Sequence, residues 1–215
     1  MLSNSSSIAF FDTINKHKRE KYFRDAKCRI VLCGGSGAGK SSTINRICGK
    51  TLARAEFSPD PVTSQFQLIR CTQEILLLDT PGLGDSPNAD QKRLKNIEKL
   101  FVDARSHADC GIDRLLLITD INSRDLSSIF TILKSPAIQK ARFHFKLIIG
   151  VNQMDLCEPD LIDLRVNSIR KRIKLAFPCF KRFKIIPFSA KTGENLHELI
   201  KYFIPLKFRR KIVST

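Results

Sequence analysis

Short apolar runs alternate along the chain with longer stretches in which apolar residues recur at helical spacing between charged ones. The runs Cys28 to Cys33, Phe66 to Cys71, Ile75 to Asp79, Leu115 to Asp120, Phe145 to Val151 and Phe183 to Phe188 are rich in Ile, Leu, Val or Phe and read as strands. Helices are predicted between them, near Phe11 to Tyr22, Lys40 to Cys48, Asp90 to His107, Asp125 to Gln139, Asp160 to Phe177 and Leu196 to Phe203. This alternation implies an α/β fold, a mostly parallel six-stranded sheet with helices on both faces and hence three layers. The step from Phe66–Cys71 to Ile75–Asp79, through Thr72 to Glu74, is too short for a crossover and predicts an antiparallel hairpin. One domain is expected over 28–206, with a helical extension at 1–27 and a basic tail at 207–215. The Ser3 to Ser7 stretch reads as a frayed end.

Length agrees with one domain: 215 residues, 42% hydrophobic and 27% charged, suffice for one large core and would be tight for two. The net charge of +16, from 37 Lys and Arg against 21 Asp and Glu, gives a field that attracts polyanions such as RNA, nucleotides or acidic lipid headgroups. Seven cysteines, an odd number without CxxC and several within apolar runs, read as reduced core residues of a cytoplasmic protein. The apolar patch Ile8 to Phe11 is too short for a signal segment or a membrane span. Four scattered histidines, His17, His107, His144 and His197, form no metal-ligand spacing and no Ser-His-Asp arrangement.

The chemistry lies in four short motifs at the ends of predicted strands. Gly34, Gly35, Ser36, Gly37, Ala38, Gly39, Lys40 and Ser41 fit GxxxxGK[ST], after a strand and opening a helix. Glycines let successive backbone N–H groups turn inward as an anion nest at a helix N-terminus. Lys40 is then placed to reach the β- and γ-phosphates of a nucleotide and Ser41 to hold magnesium. Asp79, Thr80, Pro81 and Gly82 end the strand Ile75 to Asp79; the Asp can orient a magnesium-bound water and the Gly can offer its N–H to a γ-phosphate. Alone, that string is also an ordinary turn.

Asn152, Gln153, Met154 and Asp155 follow the strand Phe145 to Val151. A carboxylate there can accept both N1–H and N2–H₂ of guanine, a pairing adenine cannot make, so Asp155 is the candidate base selector. Ser189, Ala190 and Lys191 follow the last strand, and a backbone N–H there can meet guanine O6. Each string is commonplace by itself; the four in order are not. The fold predicted is therefore that of a P-loop NTPase, a small G domain.

With these residues, the chain resembles the translation-factor-like class of small GTPases, in the Era and TrmE-like branch. The stretch GKSSTINRICG is similar to bacterial HSR1-related, ribosome-binding-type GTPases, including prophage-borne ones. The resemblance covers Cys28 to Pro205. It implies GTP and GDP as ligands with Mg²⁺ as cofactor. Ser36 to Ser42, including Ser42, are implied at the phosphates, and Ser41, Thr63 and Asp79 at magnesium. Lys40 and Gly82 are implied at the γ-phosphate in hydrolysis, and Asn152, Gln153, Asp155, Ser189, Ala190 and Lys191 around guanine. Thr63 has rivals in Thr51 and Thr72, and an ordinary loop Thr is its default reading.

Three departures bear on activity. Gln153 stands where the family usually has Lys, keeping apolar cover over the base but losing the charge. Leu83 follows Gly82, where Ras-like enzymes carry the Gln that positions the attacking water, so hydrolysis by this chain alone is expected to be slow. Gly37 stands where potassium-activated relatives have Asn. Activation by a nucleotide-dependent dimer or by a partner is the remaining expectation.

The expected protein is thus a nucleotide-dependent switch whose loops Thr51 to Gln65 and Thr80 to Asn88 respond to the γ-phosphate. Two other readings stay open: a nucleotide-gated binding module at an anionic membrane or protein partner with negligible hydrolysis, and a P-loop kinase. The kinase has no use for the motifs at Asn152 and Ser189. A basic run, Arg165, Arg170, Lys171, Arg172, Lys174, Lys181, Arg182 and Lys184, continues in the tail with Lys201, Lys207, Arg209, Arg210 and Lys211. Val166, Ile169, Ile173 and Phe177 should face the sheet and Arg170, Lys171 and Lys174 point outward. A solvated basic face is the other reading of this run; the resemblance tilts an expected polyanion toward ribosomal RNA over membrane, with Phe180 and Phe183 equally readable as stacking candidates or as core residues. DNA sequence readout is not expected.

Overall fold

The computed structural model describes residues 8–10, 25–49, 66–106 and 111–204, with backbone alone at 8–10 and 102–106. Its strands are β1 (Ile8–Phe10), β2 (Cys28–Gly34), β3 (Phe66–Arg70), β4 (Ile75–Asp79), β5 (Arg114–Asp120), β6 (Lys146–Asn152) and β7 (Phe183–Pro187). Its helices are α1 (Lys40–Cys48), α2 (Pro87–Ser106), α3 (Ser127–Lys134), α4 (Pro136–Ala141), α5 (Pro159–Ala176) and α6 (Leu196–Phe203). The predicted helix Phe11 to Tyr22, the loop Thr51 to Gln65 with Thr63, and the tail 207–215 lie outside the described residues.

One sheet runs in the order β1-β3-β4-β2-β5-β6-β7. The β4-β2-β5-β6-β7 pairs are parallel, and β3 joins β4 as the predicted antiparallel hairpin, Leu68 opposite Leu78. The six expected strands are all present. A seventh was not expected: Ile8–Phe10, assigned to a helical extension, adds antiparallel to β3. A three-residue apolar run is too short to carry a period, and pairing covers an otherwise open edge of the sheet.

Strand residues alternate between two cores. Val31, Cys33, Leu76, Leu78, Leu115, Leu117, Ile149 and Val151 pack beneath α2 to α5. Ile30, Leu32, Ile75, Leu77, Leu116, Ile118, Ile148 and Ile186 pack against α1 and α6 on the other face. Burial on both faces explains why these strands read as continuous apolar runs. The predicted helix Asp125 to Gln139 is two helices. Pro136 brings no N–H and disfavours helical backbone at Ser135, which is extended at ψ 125°. Ser135 restarts the helix as cap, accepting from Ile138 N, and its hydroxyl donates to Glu98 Oε1 at 2.8 Å.

Parallel β2, β4, β6 and β7 all end on one edge, so Gly34, Asp79, Asn152 and the turn at Ser189 gather there.

Candidate functional site

The turn from Gly34 to Gly39 carries β2 into α1. Gly39 caps α1 in the left-handed region, φ 88°, and a Cβ there would fall 2.1 Å from Asn152 Nδ2, so only glycine fits. The first amides of α1 have no acceptor within the helix and point along its axis toward the turn. Ser36, Gly37 and Ser42 are exposed, while Gly34 and Ala38 are buried beneath them.

Lys40 is 6% exposed. Its Nζ donates to Gly35 O at 2.8 Å and Gly34 O at 3.4 Å. Burial holds its pKa below the usual lysine value, opposed by the Asp79 carboxylate. Asp79 is fully buried, and burial raises its pKa against the pull of Lys40 and the Ser41 hydroxyl. Ser41 Oγ donates to Asp79 Oδ2 at 2.7 Å, whereas Asp79 Oδ1 has no hydrogen-bond partner. An orphaned, buried carboxylate oxygen beside a hydroxyl is a donor set that fits a hard divalent cation such as Mg²⁺.

The segment after Asp79 lies on the phosphate turn. Thr80 is fixed through its hydroxyl to Leu32 O at 2.8 Å. Leu83 N donates to Gly34 O at 3.1 Å and Ser36 N donates to Leu83 O at 2.9 Å, a parallel bridge between Gly35 and Leu83. The Leu83 side chain is buried in the core below α2 and α3.

At the far end, Asn152 joins two loops: its Nδ2 donates to Ala38 O at 3.0 Å and its Oδ1 accepts from Ala190 N at 2.9 Å. The Ala190 amide, expected at guanine O6, is thus engaged by Asn152 in this conformation, and O6 would have to share it. Ser189 is fully buried; its Oγ accepts from Thr192 N at 3.0 Å and its carbonyl from Gly193 N at 2.9 Å, closing the turn. Gln153 sits in the left-handed region, φ 64°, with Nε2 at 3.5 Å from Gly37 O. The side chain thus reaches the P-loop through one long contact. Asp155 has one carboxylate oxygen, Oδ1, buried without a partner, as a guanine-facing acceptor requires. Lys191 is exposed.

The structure also brings in residues that the motifs did not name. Arg93 on α2 donates to Gly82 O at 2.7 Å and pairs with Asp85 and, at 3.6 Å, with Asp90. Arg46 on α1 donates to Thr192 O at 2.8 Å, linking the phosphate helix to the Ser189 turn. A cation in the second turn of the helix that follows a DTPG-type turn is the only signal the sequence offered for Arg93.

Residues 28–135 match the model of the AIG1 family. The chain belongs to the AIG1 family. With its fold and motifs it is a GTP-binding P-loop GTPase of that family. Among its relatives is GTPase IMAP family member 8 of Rattus norvegicus, 24% identical over 183 residues, which cover 82% of this chain and 26% of that protein. The chain thus spans about a quarter of that relative's length. Another is a probable GTP-binding protein EngB of Heliobacterium modesticaldum, 28% identical over 202 residues, covering 88% of this chain and 89% of the relative. The fold matches a solved structure of Era in complex with MgGDPNP and nucleotides 1506–1542 of 16S ribosomal RNA, TM-score 0.58 at 18% identity, covering 83% of this chain and 57% of that one. The motifs resembled the Era and TrmE-like branch, but phosphate and base motifs are common to the class and do not separate its branches.

Proposed function

We propose that this AIG1-family chain is a guanine-nucleotide switch that binds GTP and GDP with Mg²⁺ and hydrolyses GTP slowly. The observation that carries it is the pair of orphaned carboxylate oxygens, Asp79 Oδ1 and Asp155 Oδ1, in two motifs that Ser41 and Asn152 tie to the same glycine-rich turn. Magnesium, when bound, would neutralise charge building on the phosphates. Ser41 and Asp79 would hold it, with Thr63 as the switch-loop candidate. Lys40 supplies the side-chain cation at the phosphates, the α1 amides and the exposed Ser36 and Ser42 line them, and Gly82 stands beside the third phosphate. Asn152 fixes the base loop to the P-loop, Gln153 covers the base, and Asp155 selects guanine, with Ser189, Ala190 and Lys191 forming the opposite wall.

Buried Leu83 cannot orient a water, so the missing group comes from a partner or a second copy. The outer face of α5 suits a polyanion. Lys171 and Lys174 are exposed there, and Era, a fold neighbour, is seen with ribosomal RNA. No helix among the described residues is long and apolar enough to cross a membrane. Cys28, Cys33 and Cys48 are buried in the core, and we place the chain in the cytoplasm, where such thiols stay reduced.

The test is nucleotide binding by the purified chain with and without Mg²⁺, with ATP as competitor, followed by single-turnover hydrolysis. Guanine nucleotides should bind, strengthened by magnesium, with slow turnover. Displacement of GTP by equimolar ATP overturns the reading.

A further inference from the structure

Gly82 and Leu83 form a strap over the phosphate turn. Leu83 bonds to Gly34 O and takes the N–H of Ser36, both within the turn that cradles phosphate. Gly82 is pressed onto the same turn: a Cβ built there would lie 2.7 Å from Ser36 N and 3.1 Å from Lys40 Nζ. The strap and a third phosphate therefore compete for the same amide and the same space beside the same ammonium. A diphosphate, ending one group earlier, does not meet the strap.

What holds the strap is on α2. Arg93 donates to Gly82 O at 2.7 Å while pairing with Asp85 and Asp90. Asp90 Oδ2 in turn accepts from Gly84 N at 2.8 Å. One guanidinium thus clasps both ends of the turn 82–85 against the first turn of α2. The Arg93 side chain is only 14% exposed, which strengthens these charge-assisted bonds over surface pairs. All three contacts run through one nitrogen, Nη1, so the latch depends on holding a charged donor at that point, which the shorter lysine stem reaches less well.

We propose that Arg93 is a positioning residue that latches the Gly82–Leu83 strap onto the P-loop and so biases this chain toward GDP over GTP. The proposal rests on the guanine-nucleotide reading above. A ligand shifts such an equilibrium only by its differential affinity for the two arrangements, and here the difference is the third phosphate. Asp85 and Asp90 hold the latch in register, and Leu83, buried beneath it, anchors the strap in the core.

The experiment compares affinities of the full-length chain for GDP and for GppNHp, both with Mg²⁺, in wild type, Arg93→Met, Arg93→Lys and Asp85→Asn. The proposal expects the GDP preference to fall about fivefold in Arg93→Met, the effect of losing a charge-assisted bond that holds one state. Asp85→Asn and Arg93→Lys should fall part of the way, with GDP affinity itself nearly unchanged. Hydrogen exchange at the Ser36 and Leu83 amides should quicken in the same order. A merely structural role lowers both affinities together and leaves their ratio fixed. A wild-type ratio in Asp85→Asn and Arg93→Lys, whatever Arg93→Met does to folding, overturns the latch alone. Failure of the wild-type chain to bind either guanine nucleotide overturns the parent reading as well.

Discussion

The hydroxyl of Ser41 donates to one oxygen of Asp79 at 2.7 Å, and the other oxygen of that buried carboxylate has no protein partner. The arrangement keeps one acceptor in reserve at the end of β4, where the strand edge meets the phosphate turn. Asp79→Asn should therefore weaken magnesium-dependent nucleotide binding about 10- to 100-fold, the range for losing a group that orients metal ligands or their waters. GTP-analogue affinity titrated against Mg²⁺ measures it. An unchanged magnesium midpoint in the variant would remove Asp79 from the metal site.

Lys40 is buried, and burial is the largest influence on its pKa. Its ammonium is a liability to the fold that nucleotide phosphates relieve. Lys40→Met keeps the stem and removes the charge, so nucleotide affinity should fall by about 100-fold or more while the melting temperature of the nucleotide-free protein stays level or rises. Calorimetry and a binding titration read both. Equal affinity in the variant would refute the P-loop assignment.

Asp155 presents an unpartnered carboxylate oxygen in the loop that Asn152 ties to the phosphate turn. Asp155→Asn should exchange a guanine preference for a xanthine preference, because the amide donates to the 2-oxo group where the carboxylate accepted from N2–H₂. Competition between GDP and XDP decides it. Wild-type protein that binds ATP as well as GTP would rule out base selection by Asp155.

Cys33 lies at the end of β2 with its side chain in the core, and burial pushes its thiol up to about 12, against a hydrogen bond with Thr80 that lowers it. The folded chain thus keeps this proton more tightly than the unfolded chain, whose thiol titrates near 9.0. The associated stability is fully present below pH 9 and is lost as pH rises toward 12, on the order of 2 to 3 kcal/mol by pH 11. Cys33→Ala should lose less stability than wild type between pH 8 and pH 11, although it starts lower because of the small cavity. Parallel denaturant curves at the two pH values test this; equal losses would show that Cys33 does not titrate in the unfolding transition.

What was legible in the sequence depended on local signals. β2, β4, β5 and β6 were readable because burial on both faces makes them continuous apolar runs, and α6 because its apolar positions repeat cleanly. Motif residues announced themselves because glycine and carboxylate chemistry is tied to spacing. Pro136 was a visible break that helical periodicity on either side overrode. β1 depends on a partner edge distant in sequence, and the role of Arg93 depends on where Gly82 lies. Neither is encoded by a local pattern. Phe180 illustrates the same limit: its basic neighbours suggested stacking on bases, but it is 6% exposed and packs in the core, with partly buried Phe183 against it.

The basic run on α5 divides in two in the structure. Arg165 donates to Ile121 O and Asn122 Oδ1, and Arg172 donates to Arg124 O and lies over the Phe130 ring, so both brace the loop 121–124. Val166, Ile169 and Ile173 face the sheet as their spacing predicted, leaving Lys171 and Lys174 exposed on the outer side and Arg170 partly covered. Charge reversal should then separate the two groups. Lys171→Glu with Lys174→Glu should leave the melting temperature nearly unchanged and weaken binding to ribosomal subunits, reducing the slope of log affinity against log salt by about 1.4 to 1.8, the counterions released at two phosphate contacts. Arg172→Ala should instead lower stability, since it removes a buttress. Anionic liposomes serve as the competing polyanion, and a salt slope that is identical in wild type and the double variant would make this face a solvated surface with no polyanion contact.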